Sequence, residues 1–470
     1  MKKRTYLIII CCIILIFLTC TRELERVKTV KEICKLDYQE ILPASFNMSP
    51  QGEHVCFIVE RDGGYHIVYD GELKSKYDMI GINTIRFSPD GQHYAYVAKR
   101  DDKQFVVYDD KELTAYDGIM ENTPIFSHDS QVIAYSAIRD GKWYVVKNNV
   151  ETGPYDMIEL NSLVLSQKNK LAYIVHINGK KHVISDDFKS KPYDSILNGT
   201  PLFSPDGEHL VFGAEKKHRR FIVFDGVEGT HYDNLGENTI KFNPRNNDLY
   251  YAAEKEGKQF LVHNATLDPR YDGILTDTPV FSEQGDRIAY GARIANPGKI
   301  GDKQFMVIDG VEQKRYNALG SPPIFSPNGK HFAYIVRVAL NWFVVTEKKE
   351  HKKYHFIGIS PYPVFSDNSD KLAYIAKVRG DWFVVLNENE QESFDAIAGG
   401  TLRFSPNSKY ITYGARKDEK WYIVVNGNSG EPYDDIVTMK SGSIFFDSPD
   451  ELHYFAITDS ALVRVDEILK

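Results

Sequence analysis

Cysteine is scarce in this chain. Of its 470 residues 5 are cysteines, and Cys11, Cys12 and Cys20 fall at the N-terminus, leaving Cys34 and Cys56 beyond it. That excludes a disulfide-rich scaffold. A single Cys34–Cys56 bridge stays open, against a small buried role for Cys56, whose position Ala95, Ala134 and Ala172 hold elsewhere. The sequence also lacks a Cys-x-x-Cys pair, a His-Glu-x-x-His helix, a Gly-x-Ser-x-Gly elbow and a phosphate-cradling Gly-rich loop. These absences remove the common zinc, hydrolase and nucleotide signatures. Asp367–Asp370 has too few ligands for a calcium loop and reads as a turn, and no Trp follows to make a sialidase-type Asp-box. The 14 histidines read as scattered surface or turn residues without a fixed register. No metal, cofactor or catalytic residue is expected. Excess positive charge is missing too: the net charge is −8. Phosphate backbones bind cationic faces, so nucleic acid is not an expected partner.

What is present begins at the N-terminus. Lys2, Lys3 and Arg4 precede an apolar run from Tyr6 to Leu18, closed by Thr19 and Cys20. The run is shorter than the ~20 residues a membrane span needs and suits a secretory signal. Residues 1–20 therefore read as a bacterial lipoprotein-like signal with Cys20 as the acylated residue, although Phe17 and Thr19 replace the usual Leu and small residue. An uncleaved anchor is the alternative. The expectation is an exported protein, membrane-anchored in the bacterial cell envelope, periplasmic or on the outer surface.

From residue 38 one pattern recurs at intervals of about 39 residues. It runs Tyr-Asp-x-Ile, a short loop, Thr-Pro-x-Phe-Ser-Pro-Asp-Gly, then x-x-x-Ala-Tyr-x-Ala, a polar turn, an aromatic before Val-Val, and Asp-Gly. Tyr77, Tyr116 and Tyr155 mark one anchor, and Phe87, Phe126 and Phe203 another. Ser88–Gly91 and Ser204–Gly207 keep the Ser-Pro-Asp-Gly turn intact: Pro presets φ, Asp caps its own backbone and Gly takes the left-handed position. Each unit offers four short strands bounded by Gly, Asp and Asn, and no stretch has a helical period. The fold class is all-β: a β-propeller of about eleven four-stranded blades. It forms one large ring or two fused rings, for example five and six blades, since no Pro/Gly-rich linker marks a boundary. Residues 21–37 read as a linker and 38–470 as the array. Tyr38–Ile41 is expected to give a lone outer strand to a composite blade completed by the C-terminus. Leu165–Lys168 and Lys181-His182 depart from the pattern and suggest a distorted blade. Trp143, Trp342, Trp382 and Trp421 read as sharing one core slot with Phe105, Phe221, Phe260 and Phe305.

The Phe-Ser-Pro-Asp-Gly-x-x-x-Ala-Tyr pattern resembles the Pro-Asp propeller repeats of TolB-like and WD-repeat-like bacterial proteins. The resemblance covers residues 38–470. It implies blades whose first strand lines the channel, with Ser-Pro-Asp-Gly between strands one and two. TolB-like proteins carry an α/β domain before the propeller. Residues 21–37 cannot hold one, so a TolB role does not carry over, nor does a prolyl oligopeptidase-type hydrolase domain after Lys470.

One constellation suggests binding. The residue after Ala-Tyr-x-Ala is often charged, and in four consecutive units it is Arg293, Arg337, Lys377 and Arg416. If these cations stand side by side on one face, they form an arc for an anionic ligand or an acidic protein; the alternative is a solvated rim of salt bridges. The expected function is a non-catalytic extracytoplasmic lipoprotein acting as a binding scaffold. Its alternatives are a propeller hydrolase or lyase acting on carbohydrate or peptide, and a structural spacer.

Overall fold

The structure, a computed structural model, describes residues 24–37, 40–42, 44–264, 266–295, 301–358, 363–438 and 443–470. The signal segment with Cys20, Tyr38, and most of the insertion after Ile294 lie outside these residues. The chain forms eleven antiparallel sheets. We number the blades 1 to 11 by their second strands: Val55–Arg61, Tyr94–Arg100, Ile133–Arg139, Leu171–Ile177, Leu210–Lys216, Leu249–Lys255, Ile288–Ile294, Phe332–Val338, Leu372–Val378, Ile411–Lys417 and Glu451–Thr458. Helix is limited, among the described residues, to the single 3₁₀ turn Ile82–Thr84.

Within a blade the inner strand is split. In blade 2, Met79–Ile80 and Arg86–Phe87 both pair with the same edge of Tyr94–Arg100. Between them the chain turns away, and Thr84 fills the gap in the ladder: its hydroxyl accepts the Val97 N–H at 2.9 Å and donates to the Gly81 carbonyl at 2.6 Å. Ser45, Ser162, Thr239 and Thr401 accept the equivalent amides of blades 1, 4, 6 and 10. The hydroxyl thus satisfies a buried N–H that a continuous inner strand would have paired. In the Thr-Pro copies Thr123, Thr200 and Thr278 keep the other half of the device, donating to the Met120, Leu197 and Leu275 carbonyls at 2.6, 2.7 and 2.7 Å.

Eleven buried apolar clusters hold the blades together, each made from two consecutive blades. Cys56, Ile58 and Tyr77 of blade 1 pack with Tyr94 and Tyr96 of blade 2, and the series continues around to blades 10 and 11. The last cluster joins blade 11, through Phe455, Ile457 and Leu462, back to Met48, Phe57 and Val68 of blade 1. Every seam lies between sequence neighbours and the series closes on itself, so the molecule is a single eleven-bladed ring and not two fused smaller ones. At the seams the Tyr of Tyr-Asp packs edge-on against the Tyr of Ala-Tyr: Tyr77–Tyr96, Tyr116–Tyr135 and Tyr433–Tyr454 have centroids 6.1, 6.3 and 5.8 Å apart. Both repeat anchors are one device seen from two sides of a seam.

Closure departs from expectation. Arg26–Lys35, inside the stretch read as a linker, is the outer strand of blade 11 and pairs antiparallel with Ala461–Leu469. Ile41 instead bridges to Val59 and belongs to the inner edge of blade 1. Arg26–Lys35 lies before the first repeat anchor and lacks the repeat motif, which is why the pattern did not reach it. Cys34 packs at the blade 11–1 seam and Cys56 at the blade 1–2 seam, on opposite sides of blade 1, and both thiols are free. Blade 4 is regular despite its sequence: it keeps the common strand order, and His182, buried in the aromatic slot, bonds the Ser190 carbonyl at 3.0 Å.

Candidate functional site

Antiparallel order gives the ring two faces. Ser-Pro-Asp-Gly turns and Asp-Gly turns emerge on one, the turn face. The crossovers at Tyr-Asp and the turns between second and third strands emerge on the other, the crossover face. On the crossover face the Asp of Tyr-Asp staples adjacent blades. Asp117 accepts the Asp140 N–H of blade 3 at 2.8 Å and the Lys103 ammonium of blade 2 at 2.5 Å. Asp156 and Asp194 repeat the arrangement with Lys142 and Lys180. Those lysines hold the three carboxyls below the usual carboxylate range.

Arg293, Arg337, Lys377 and Arg416 occupy one register position, the sixth residue of the second strand, at this face. They are not equivalent. Arg293 is held by the Asp302 carboxylate at 2.8 Å and the Asp272 carbonyl at 3.1 Å. Among the described residues no carboxylate lies within ion-pair distance of Arg337, Lys377 or Arg416, whereas Lys99 of blade 2 pairs with Asp102 at 2.9 Å.

The tryptophans explain the difference. Trp342, Trp382 and Trp421 stand directly across the strand pair from Arg337, Lys377 and Arg416. Their partners in other blades are Gln104, Lys181, Arg220 and Gln304, not Phe105, Phe221 or Phe305. The expected Trp/Phe equivalence is therefore off by one residue. Side chains alternate faces along a strand, so one residue decides which side of the sheet each ring takes. Phe343 and Phe383 fill the core slot, while the tryptophans remain partly exposed at the crossover edge. Each cation lies over its own indole: Arg337 at 5.8 Å, Lys377 at 4.6 Å and Arg416 at 5.8 Å from the ring centroid. Phe356 contacts both Trp342 and Trp382 edge-on, at 5.7 and 5.9 Å, and links the first two sites into one aromatic row. Leu340, in the adjoining turn, is 82 % exposed. Indole faces hold a cation by the ring quadrupole and leave its charge uncancelled.

The turn face carries a register that was overlooked. His54, His93, His209 and His331 all precede the second strand of their blades, each with Nδ1 within 2.7 Å of the carboxylate of Asp70, Asp109, Asp225 or Glu347. The sequence signal was the recurrent His two residues after the Gly of the turn. The same carboxylates accept the first backbone N–H of the strand, so the pairs close blade ends.

Two further places hold polar chemistry. A recess of about 690 Å³ opens on the channel between the inner edges of blades 11, 1, 2 and 3, with Arg86 and Asp435 in its wall. Among its described lining residues it has one carboxylate and no histidine. At the closing seam Asp447, His453 and Asp466 place ligand-capable atoms within 4.8 Å of one another. There His453 is buried, with Nε2 2.9 Å from the Gly52 carbonyl and Nδ1 2.8 Å from Asp447, so its ring ties blade 11 to blade 1.

No protein-family model and no curated protein matches the chain. Among solved structures, a eukaryotic initiation factor is similar at 13% identity and a TM-score of 0.40, over 72% of this chain and 95% of that one. Porphyromonas gingivalis dipeptidyl peptidase 4 is similar at 13% identity and 0.37, over 74% and 67%. Dihydro-heme d1 dehydrogenase NirN is similar at 14% and 0.33, over 69% and 77%. Likenesses this distant carry nothing about activity. The class is fixed by the chain's own geometry: an eleven-bladed, single-ring β-propeller.

Proposed function

We propose that this protein is a non-catalytic, extracytoplasmic propeller lipoprotein, acylated at Cys20, that binds an acidic partner through the crossover face of blades 8 to 10. The observation that carries the reading is the set of three neighbouring cations, Arg337, Lys377 and Arg416, held over indoles with no carboxylate partner among the described residues. Exposed Leu340 gives the same patch an apolar contact. Interfaces that combine aromatic anchors with uncancelled charge gain specificity and association rate from the charge and affinity from the buried rings. The N-terminal charged and apolar segment supports export. Among the described residues no comparable arrangement of groups favours a hydrolase or lyase.

The test uses poly-L-glutamate as the acidic probe on immobilised full-length protein. Binding should fall with rising salt and weaken by at least about tenfold in Arg337→Glu/Lys377→Glu. Arg219→Glu, at a cation already paired with Asp233, should bind as wild type does. Equal binding by the double variant overturns the assignment. Cys20→Ser should move the protein from the membrane to the soluble fraction; unchanged fractionation removes the lipid anchor from the proposal.

A further inference from the structure

We infer that Asp447, His453 and Asp466 of blade 11 form a binding site for a divalent transition-metal ion of the zinc class, set at the seam where the ring closes. The inference does not depend on the crossover-face patch of blades 8 to 10.

His453 stands where the repeat has no packing use for an imidazole. It pairs across the ladder with the Phe anchor Phe445, and the same position is hydrophobic in all ten other blades, from Val55, Tyr94 and Ile133 to Leu372 and Ile411. The ring is fully buried and stacks on Phe445 with centroids 5.2 Å apart. Asp447 belongs to a second departure. Phe446 and Asp447 separate Phe445 from the Ser-Pro-Asp of the turn, whereas Phe87, Phe203 and Phe404 are followed at once by Ser. Asp447 is the extra residue of a β-bulge between the Phe446–Leu452 and Ser448–Glu451 pairs, a device that re-aims a side chain. Asp466 lies directly across the strand pair from His453. The three donors thus come from three strands, and no short motif links them.

The hydrogen-bond inventory points to a metal. A neutral imidazole has one N–H. Gly52 of blade 1 offers Nε2 only a carbonyl, at 2.9 Å, so the N–H sits there; metal-bound histidines hold their ring in this way. Nδ1 then presents a lone pair, yet both Asp447 oxygens, also acceptors, lie 2.8 Å away. Only a positive charge reconciles them: a proton, which makes a buried imidazolium, or a metal ion. A proton would use Asp447 alone. Asp466, with its ligand atom within 4.8 Å of the other two, is the third donor that a metal uses. Arg464 Nε donates to Asp466 Oδ1 at 3.0 Å. One guanidinium against two carboxylates leaves the group net negative while the imidazole is neutral, and a divalent cation offsets that charge. One imidazole and two carboxylates suit zinc or manganese, whereas calcium and magnesium take oxygen donors. Both carboxylates are 42% exposed, which leaves an entry path and room for water as a further ligand. Metal bound there fixes the ring that holds Gly52, and so couples ion binding to the contact between blade 11 and blade 1.

Calorimetric titration of the full-length protein with zinc, after stripping with a chelator, tests this. One zinc ion per chain should bind through this group. The melting temperature should rise with zinc concentration, because an ion that binds only the folded state stabilises it. Asp447→Asn and Asp466→Asn should each weaken binding at least about tenfold. Both carboxylates are partly exposed, so these variants keep the test valid if His453→Gln does not fold. His54→Gln, at a turn-face His–Asp pair, and Arg337→Glu/Lys377→Glu should bind zinc at this site as wild type does, and excess calcium should not compete. X-ray absorption at the zinc edge should show one imidazole among nitrogen and oxygen neighbours at about 2.0–2.2 Å. A buried imidazolium would instead give no zinc-dependent rise, and a loss of stability in Asp447→Asn that Asp466→Asn does not share. That result overturns the inference, as does zinc affinity indifferent to both Asn variants.

Discussion

Removing the Arg26 side chain should loosen the outer strand of blade 11. Arg26 starts the closing strand, and its guanidinium crosses two blades. Nε and Nη2 reach the Glu467 carboxylate of blade 11 at 2.7 and 3.0 Å, and Nη1 reaches the Ile423 and Asn428 carbonyls of blade 10 at 3.0 and 3.1 Å. The side chains are only 12% and 2% exposed. Glu467 also accepts the Tyr454 hydroxyl at 2.7 Å. Truncation to Ala would leave a buried carboxylate facing a phenol and no cation, a change that typically costs about 3–5 kcal/mol. The cost falls on a local event, detachment of Arg26–Lys35 from Ala461–Leu469, so a single global unfolding free energy is the wrong readout. Amide hydrogen exchange is the right one. Amides of Ala461–Leu469 should exchange about 10²–10⁴-fold faster in Arg26→Ala, while those of blade 6 keep wild-type rates. Arg26→Met/Glu467→Met should recover most of the loss, since an apolar pair of similar size carries no stranded charge. Exchange within a factor of about three of wild type would refute the assignment of Arg26 as the latch.

Three other perturbations probe the repeat itself. Thr401→Val removes a fully buried hydroxyl that accepts the Gly414 N–H at 3.0 Å, and should cost about 1–3 kcal/mol by denaturant titration; a neutral result would mean that the amide finds another acceptor. Gly52 and Gly141 have φ of +72° and +71°, but a Cβ on Gly52 would lie 2.3 Å from the Phe445 ring whereas Gly141 faces open space. Gly141→Ala should therefore lower the melting temperature only slightly and Gly52→Ala markedly more, and equal losses would remove the steric account of the closing seam. The stapling carboxyls Asp117, Asp156, Asp194, Asp272 and Asp434 are held low chiefly by Lys103, Lys142, Lys180, Lys258 and Lys420. Depressed carboxyls stabilise the fold above their ordinary value of 3.8, and that stability is lost as pH falls through their lowered folded values. Melting temperature should be flat from about pH 8 to pH 5 and fall below about pH 4; a decline beginning above pH 5 would assign acid lability to other groups.

The repeat made the blades legible because each motif residue has a local task. Ser-Pro-Asp-Gly builds a turn within itself: the Ser88 hydroxyl donates to Asp90, and Asp90 accepts the Gln92 N–H. Such tasks leave a sequence signal in every copy. Ring closure left none, because Arg26–Lys35 appears once and alternates Val27, Lys28, Thr29 and Val30 without turn residues around it. The choice between one ring and two was equally hidden: every seam uses the same residue types, and only the cyclic series of contacts distinguishes the arrangements. The candidate site was half legible. The cations could be aligned from the Ala-Tyr anchor, but the aromatics were aligned to the wrong column, since Trp-Phe-Val-Val and Gln-Phe-Val-Val differ only in which aromatic is counted.

That one-column error bears on how function is written into a repeat of this kind. The Phe column faces a seam and is filled by a large apolar residue in nearly every blade, so variation there changes packing. The neighbouring column points to the crossover edge and tolerates Tyr65, Gln104, Lys181, Arg220 and Trp342 alike. Freedom from packing is what lets it carry binding chemistry. There the informative residue is a departure from the column, not a member of the consensus. Blade 3 makes the point in reverse: Trp143 there faces Ile138 in place of a cation. Ile138→Arg would therefore place a cation beside an indole at a fourth site. If the crossover-face reading is right, that variant should bind poly-L-glutamate no better than wild type, because blade 3 is separated from blades 8 to 10. A gain equal to the loss in Lys377→Glu would show that charge anywhere on the ring suffices, and that the patch has no special standing.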